Sequence, residues 1–242
     1  MNYEIIKSEE KLKDFINWLP DLADDEVFFV GLYCRSKYDK SVKDCEIRRF
    51  TSKKEFLFEK IQQLECPLGA YRFKGVEISN DALALYINPT PRNVNIAAFR
   101  LMNRLSEYLI RDGRYINLPK VTMSEIQKAK GKMFVHNFDI DKDYDIWTRA
   151  NAFSFDINGN CVKILRTRGG FHILVEVDKI EKSFEKIWYK SICKLPDIDS
   201  KRRDDLIPVP GCNQGGFIPY FMDLPKTDFV KKFGNSFLFK KS

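Results

Sequence analysis

Residues 161–177 read Cys-Val-Lys-Ile-Leu-Arg-Thr-Arg-Gly-Gly-Phe-His-Ile-Leu-Val-Glu-Val. Apolar residues dominate both sides of Arg168-Gly169-Gly170, and two glycines between such runs are typical of a hairpin turn. We therefore predict strands over Cys161–Thr167 and Phe171–Val177, joined by that turn. Because successive strand residues point to opposite faces, His172 faces away from the apolar set of the second strand.

A second alternating pattern precedes this hairpin, over Met133–Asp141. Asp139 and Asp141 are two residues apart, so on a strand their carboxylates share one face, with Cβ atoms about 6–7 Å apart. His136 lies on the other face, where we expect a core histidine. The pattern predicts one face with Phe134, His136, Phe138 and Ile140, and a second face with Val135, Asn137, Asp139 and Asp141.

The rest of the chain mixes helical and strand patterns without any internal repeat. The apolar run Glu26–Leu32 predicts a buried strand, and Ala82–Ile87 predicts another that ends at Asn88-Pro89-Thr90-Pro91-Arg92, since prolines cannot donate to a sheet. Helical patterns cover Ser52–Leu64, Asn93–Arg111 and Lys179–Cys193. The predicted inward face of the second of these helices carries Val94, Ala97, Ala98, Leu101, Leu105, Tyr108 and Leu109.

These patterns predict an α+β fold: two packed α/β layers, mostly antiparallel sheet with helices, that share a cleft. We expect one domain over residues 1–242, with a helix-rich half over about 1–130 and a strand-rich half over about 131–242.

Composition excludes several classes of protein. The 242 residues are 44% hydrophobic and 31% charged, values of an ordinary globular chain. No apolar stretch is long enough to span a bilayer, and the N-terminus lacks a secretory pattern, so we expect a cytoplasmic protein without a membrane partner. The six cysteines form no C-x-x-C pair, which disfavours structural zinc. The net charge of +7 permits a phosphate-bearing partner.

Asp139 and Asp141 are the first candidate site. Two carboxylates beside an apolar strand are costly unless cations or water compensate them, and a pair of divalent metals there is the geometry of polymerases. The alternative is a strand that ends in solvent with two hydrated acids. A calcium loop is excluded, because counting from Asp139 puts Tyr144 where such a loop needs glycine.

The turn 167–172 is the second candidate site. Gly169 and Gly170 allow backbone amides to approach an anion, Arg168 adds a charged donor, and Thr167 adds a hydroxyl. His172 can donate to a triphosphate oxygen. The alternative is a structural Gly-Gly hairpin with a satisfied histidine beside it.

Taken together and in this order, the two sites resemble the motifs of the archaeo-eukaryotic primase superfamily. That family carries a D-x-D pair, then a Ser/Thr- and Gly-containing turn closing in His, then a later Asp. The resemblance implies Asp139 and Asp141 as metal ligands. It also implies that Thr167, Arg168 and His172 contact the nucleotide triphosphate.

The third motif of that family is matched less closely in this chain than the first two. Asp204-Asp205 before Leu206–Gly211 resembles it, which implies Asp204 or Asp205 as a further metal ligand, with Asp223 as the fallback. The turn Asn88–Arg92 resembles an Asn-Pro-Arg turn of some family members. The zinc ligands of the cellular small subunit are missing, which points to the compact viral, plasmid or bacterial branch, and Thr167 replaces the common serine.

The resemblance implies a primase-polymerase catalytic core, that is, a DNA primase or primase-polymerase. The implied reaction is template-directed nucleotidyl transfer from NTPs or dNTPs on single-stranded DNA, with two Mg²⁺ or Mn²⁺ ions. Catalysis is assigned to Asp139, Asp141 and His172. We also consider two alternatives, a catalytically silent single-strand-binding module of the same fold and a metal-dependent nuclease.

Partners follow from the same resemblance. Template is expected along basic residues of the first half, and a helicase or another replication or defence component is a candidate partner chain. In a viral source the compartment is the host cytoplasm. Phenylalanines interleaved with lysines over 229–241 favour a packed terminal strand over base stacking. The expected template-binding residues are Arg35, Lys37, Arg100 and Arg104.

Overall fold

The computed structural model describes residues 1–111, 116–140, 161–193 and 206–222. Its chain divides into two compact units, one built from 1–134 with 205–219 and the other from 135–204 with 220–242. The boundary at residue 134 lies close to the predicted boundary, at about residue 130, between the helix-rich and the strand-rich half. The segment 205–219, however, belongs to the first unit and not to the strand-rich half. The mixed α+β architecture with antiparallel sheets is confirmed.

The first unit holds a four-stranded antiparallel sheet in the order β2-β1-β5-β9. The second strand of the unit, Cys45–Ser52, was not predicted, because its apolar residues do not alternate along its whole length. The elements of the first unit are α1 Glu9–Trp18, β1 Glu26–Cys34, β2 Cys45–Ser52, α2 Leu57–Gln62, β3 Arg72–Phe73, β4 Val76–Glu77, β5 Leu83–Asn93, α3 Val94–Arg111, α4 Leu118–Lys128 and β9 Ile207–Pro208.

Strand β5 contradicts the prediction that Pro89 and Pro91 end the strand, since it continues to Asn93. The pairing with β1 explains why. Phe29 pairs with Asn88 and Val27 with Arg92, so three residues of β5 lie opposite one residue of β1. This bulge removes the two proline nitrogens from the hydrogen-bond ladder, and the strand passes through them without losing a required donor.

Helix α3 is longer and more exposed than an ordinary surface helix. Its inward face is partly as predicted, with Ala97 buried, but Ala98 is exposed and Leu109 is 80% exposed. α3 packs on α4, where Arg104 Nη1 lies 2.6 Å from the buried Glu125 Oε1. The hydrogen bond from Arg104 keeps the pKa of the Glu125 carboxyl below its usual value.

The second unit holds the other four-stranded antiparallel sheet, in the order β10-β7-β8-β6. The predicted hairpin is confirmed, with Thr167 N donating to Gly170 O at 3.0 Å across the turn. The predicted helix Lys179–Cys193 is reduced to its last turns. The elements of the second unit are β6 Val135–Ile140, β7 Val162–Arg166, β8 Phe171–Glu176, α5 Trp188–Cys193 and β10 Tyr220–Met222.

One face of this second sheet is a hydrophobic core. Alternate residues of β6, β7 and β8 point to it, including Phe138, Ile164 and Ile173, and Trp188 of α5 packs on them. Because the alternation has a period of two, the intervening residues form a second face that carries the polar side chains. In the part of the chain that the structure describes, no helix is long and apolar enough to cross a membrane.

Candidate active site

The register of β6 and β8 brings the two predicted motifs together. Asp139 is the direct cross-strand partner of His172, so their side chains emerge from the same face of the sheet. His172 Nε2 lies 3.7 Å from Asp139 Oδ1. Two residues 33 positions apart in the sequence thus share one small site.

Asn137 completes this cluster on the other side of the imidazole ring. Its Oδ1 atom lies 2.8 Å from His172 Nδ1. An amide oxygen only accepts hydrogen bonds, so with this oxygen facing the ring Nδ1 carries a proton and donates it. The contact fixes the ring plane and directs the Nε2 edge towards Asp139. The sequence places Asn137 on the face of Asp139, but its spacing alone gave it no role.

Burial differs across the cluster. The side chain of His172 is 11% exposed and that of Asp139 is 22% exposed. Behind them on the same face, Leu165 and Leu174 are fully buried. Leu165 is the cross-strand partner of His172 on β7, so the imidazole has an apolar neighbour on one side and the carboxylate on the other. The carboxylate is the more accessible member of the pair.

The turn after β7 has a buried base and an exposed tip. Thr167 is 4% exposed, whereas Arg168 and Gly169 are exposed. Neither Gly169 nor Gly170 adopts a positive φ, so the turn does not use the positive-φ conformations that glycine allows. A Cβ atom at Gly169 would meet no atom within 4 Å. What the tip offers a ligand is open space beside a guanidinium group.

The second histidine lies on the opposite face, as predicted. The ring centroid of His136 is 5.2 Å from that of Trp188 and 6.3 Å from that of Phe138. His136 is half-buried among these aromatic rings rather than fully enclosed. It therefore belongs to the rim of the hydrophobic core and not to the polar cluster.

Asp139 carries the described part of the predicted metal site. Carboxylate oxygens are the ligands that Mg²⁺ and Mn²⁺ prefer, and the Asp139 side chain is 22% exposed. Among the residues described, no three His, Cys, Asp or Glu side chains are arranged to hold a metal ion. The other predicted ligands, Asp141, Asp204, Asp205 and Asp223, all lie outside the described residues.

The predicted template-binding residues belong to the first unit, and several are engaged by neighbours. Arg100 Nη1 donates to Lys128 O at 2.9 Å and Arg104 pairs with Glu125, so both guanidinium groups hold α4. Arg35 lies with its Cζ atom 5.7 Å from the ring centroid of Tyr86, and its Nε is 3.4 Å from Asp44. The prediction of an arginine stripe on α3 is therefore not supported at Arg104.

The phenylalanines and lysines over 229–241 lie outside the described residues, so their predicted packing is not described.

Comparison with known proteins identifies no relative. The chain matches no protein-family model, no curated protein and no solved structure.

Proposed function

We propose that this protein is a DNA primase or primase-polymerase, a metal-dependent nucleotidyltransferase that uses NTPs or dNTPs on a single-stranded DNA template. The observation that carries the proposal is the distance of 3.7 Å between Asp139 Oδ1 and His172 Nε2. Nucleotidyl transfer needs a carboxylate that binds a cation and a donor for the triphosphate within one pocket. Asp139 and His172 would supply these two groups, and their closeness supports the proposal.

In this proposal Asp139 and Asp141 hold the cations together with Asp204 or Asp205. When bound, two Mg²⁺ or Mn²⁺ ions would lower the pKa of the attacking 3′-hydroxyl and would compensate the charge of the leaving pyrophosphate. Asp139 extends from the end of β6, a strand fixed by six residue pairs with β8. A rigid strand holds the carboxylate in place, so little reorganisation is needed when the substrate arrives.

His172 is the proposed donor to the triphosphate in its doubly protonated form, because the Nδ1 proton is directed to Asn137 and a neutral ring would then have no proton on Nε2. Asn137 holds the ring through Nδ1, so the Nε2 edge is presented on the side of Asp139. A triphosphate bridged to cations at Asp139 would therefore lie within reach of this edge. The buried Leu165 beside His172 excludes water from one side of the ring, which would strengthen the hydrogen bond from His172 to the triphosphate.

The exposed tip of the turn is the second proposed contact. Arg168 supplies a permanent positive charge that neutralises a phosphate oxygen, as guanidinium groups commonly do. Gly169 leaves open space next to it, so a phosphate is able to approach the backbone there. Gly170 accepts the hydrogen bond that closes the turn, and Thr167 donates it, so these two residues position the tip.

Template binding is proposed for two basic residues of the first unit, the exposed Lys37 and the partly exposed Arg35, which also contacts Tyr86 and Asp44. The net charge of +7 favours a polyanionic partner, and binding to single strands should weaken steeply as salt is raised. A helicase or another replication or defence component is the proposed partner chain.

The test is incorporation of labelled nucleotides on single-stranded DNA, with and without a primer, in Mg²⁺ and in Mn²⁺. We expect incorporation with release of pyrophosphate, lost on addition of EDTA and lost in Asp139→Asn. The matched control is Asp178→Asn, which removes an exposed carboxylate of the same unit and should leave the rate unchanged.

Three results would count against the proposal. Full incorporation by Asp139→Asn removes the assigned role of this residue. Release of labelled ends without pyrophosphate indicates a nuclease. Tight single-strand binding without metal-dependent incorporation under any condition indicates a silent binding module.

A further inference from the structure

Helix α3 has a second apolar face that is left exposed in the described part of the chain. At 100° per residue its five large exposed side chains fall within an arc of roughly 140°, opposite the face that packs on α4. We call this surface the α3 apolar stripe. Its members and their exposed fractions are Ile96 41%, Phe99 66%, Met102 67%, Leu109 80% and Ile110 83%.

A helix that is apolar on both sides is normally buried on both sides. At about 1.45 Å² per dalton of extended chain, the exposed fractions of the stripe amount to about 600 Å² per copy. Isolated exposed apolar residues are common on monomers, but a contiguous patch of this size marks an interaction site. Two copies would bury about 1,200 Å², which reaches the range of specific protein interfaces.

The large side chains along the stripe are arranged almost symmetrically about its centre. Large side chains lie at both ends, Ile96 and Phe99 at one and Leu109 and Ile110 at the other, about 21 Å apart along the helix. Between them lie the exposed Asn103, next to the middle of the stripe, and the small residue Ser106, whose hydroxyl donates to the carbonyl of Met102 at 2.9 Å. Because that donor is already satisfied within the helix, an apolar partner can cover it without leaving a polar group unpaired.

The charges beside the stripe fit the same arrangement. In an antiparallel pair with its twofold axis between residues 103 and 104, Ile96 lies near Ile110 of the second copy and Phe99 near its Leu109. The same axis places Arg100 opposite Glu107, and symmetry repeats the contact. Both residues are exposed, and Arg100 uses only its Nη1 group to bind the end of α4. A parallel pair would not bring Arg100 and Glu107 of the two copies together, because equivalent flanks then lie on opposite sides of the interface.

We propose that the α3 apolar stripe is the interface of a homodimer in which α3 packs antiparallel against α3 of a second copy. This inference is independent of the proposed enzymatic activity, since it uses only the exposed face of one helix in the first unit.

The test is sedimentation velocity of the full chain from about 1 to about 100 µM, with a matched pair of variants. We expect wild-type protein to sediment at twice the chain mass of 28.4 kDa at the higher concentrations. Phe99→Glu should weaken association at least about tenfold. Phe56→Glu introduces the same charge at a phenylalanine that is 56% exposed outside the stripe, and should dimerise like wild type.

A further variant tests the antiparallel register. Glu107→Lys places a cation opposite Arg100 of the second copy, and we expect a weakening of about threefold or more. Circular dichroism should show an unchanged fold for all three variants, because each changed side chain is exposed.

Three outcomes would overturn the proposal. A wild-type monomer at the highest concentration means that another segment, such as 223–242, or another protein covers the stripe. Equal effects of Phe99→Glu and Phe56→Glu mean that the stripe is not the interface. A Glu107→Lys variant that dimerises like wild type rules out the antiparallel register.

Discussion

The two faces of the second sheet are built from alternate residues of the same strands, yet only one of them carries the cluster of Asn137, Asp139 and His172. On one face His136 lies among Phe138 and Trp188, at the rim of a hydrophobic core. On the other face His172 lies between an amide oxygen and a carboxylate. Because successive side chains point to opposite faces, a shift of one residue along a strand moves a histidine from one environment to the other.

This contrast predicts that the apolar face mainly determines stability and that the polar face mainly determines activity. The apolar face uses its side chains to fill volume, so its residues should respond to changes of size. The polar face holds Asn137, Asp139 and His172 in a row of contacts that contributes little to the core. Its residues should respond to changes of charge and hydrogen bonding. Substitutions on the two faces should therefore affect different measurements.

Asp139→Asn should have the largest effect of any single change on the polar face. It removes the charge that the proposed cations need, and we expect nucleotide incorporation to fall about a thousand-fold or more. The melting temperature should change little, because the side chain is partly exposed. The measurement is a single-turnover incorporation assay beside a thermal melt. A variant that loses both activity and fold would fail to separate the two faces.

The two histidines provide the next comparison. His172→Gln should lower incorporation about a hundred-fold, because glutamine is uncharged and less well placed to donate to a phosphate. His136→Gln should keep its activity and lose about 1 kcal/mol of unfolding free energy, because it loses the contact with Trp188. Urea unfolding and incorporation are measured for both variants. Equal losses of activity would contradict the assignment of His172 to the site.

Asn137→Leu should have a smaller effect on activity. It keeps the approximate volume of the side chain but removes the acceptor 2.8 Å from His172 Nδ1, so the ring loses its fixed orientation. We expect about a tenfold loss, mainly in kcat, with nucleotide KM less affected. Asn137→Asp retains an acceptor and should recover most of the rate. If leucine is tolerated without loss, the contact has no positioning role.

Ile173→Val should have the smallest effect. Ile173 is fully buried in the core behind His172, and removal of one methylene group costs about 1 kcal/mol of unfolding free energy. Incorporation should stay within about twofold of wild type, because the opposite face is unchanged. A large loss of activity here would mean that the two faces are coupled more tightly than their contacts indicate.

Local patterns predicted much of the second unit. The Gly-Gly turn, the strands beside it and the opposite orientation of His136 and His172 all follow from residues close in sequence. The pairing of β6 with β8 did not follow, because strand partners are chosen by long-range packing. The resemblance put Asp139 and His172 in one family site, but only the register shows that they are direct neighbours.

The first unit was harder to predict. Pro89 and Pro91 are strand breakers by local chemistry, and the bulge opposite β1 that accommodates them depends on a distant strand. Helix α3 was predicted correctly as a helix, but one apolar face was assigned where two exist. Periodicity finds the face with the strongest repeat and does not show whether the remaining apolar residues are exposed.

The most direct test of a cation site beside His172 is the paramagnetic broadening by Mn²⁺ of the NMR signals of the imidazole rings. The chain has two histidines, and each lies on a different face of the sheet. Single-histidine variants assign the two signals. We expect the His172 signal to broaden at a lower Mn²⁺ concentration than the His136 signal, and Asp139→Asn to abolish the difference. Equal broadening of both signals, or none at His172, would contradict a cation site beside His172.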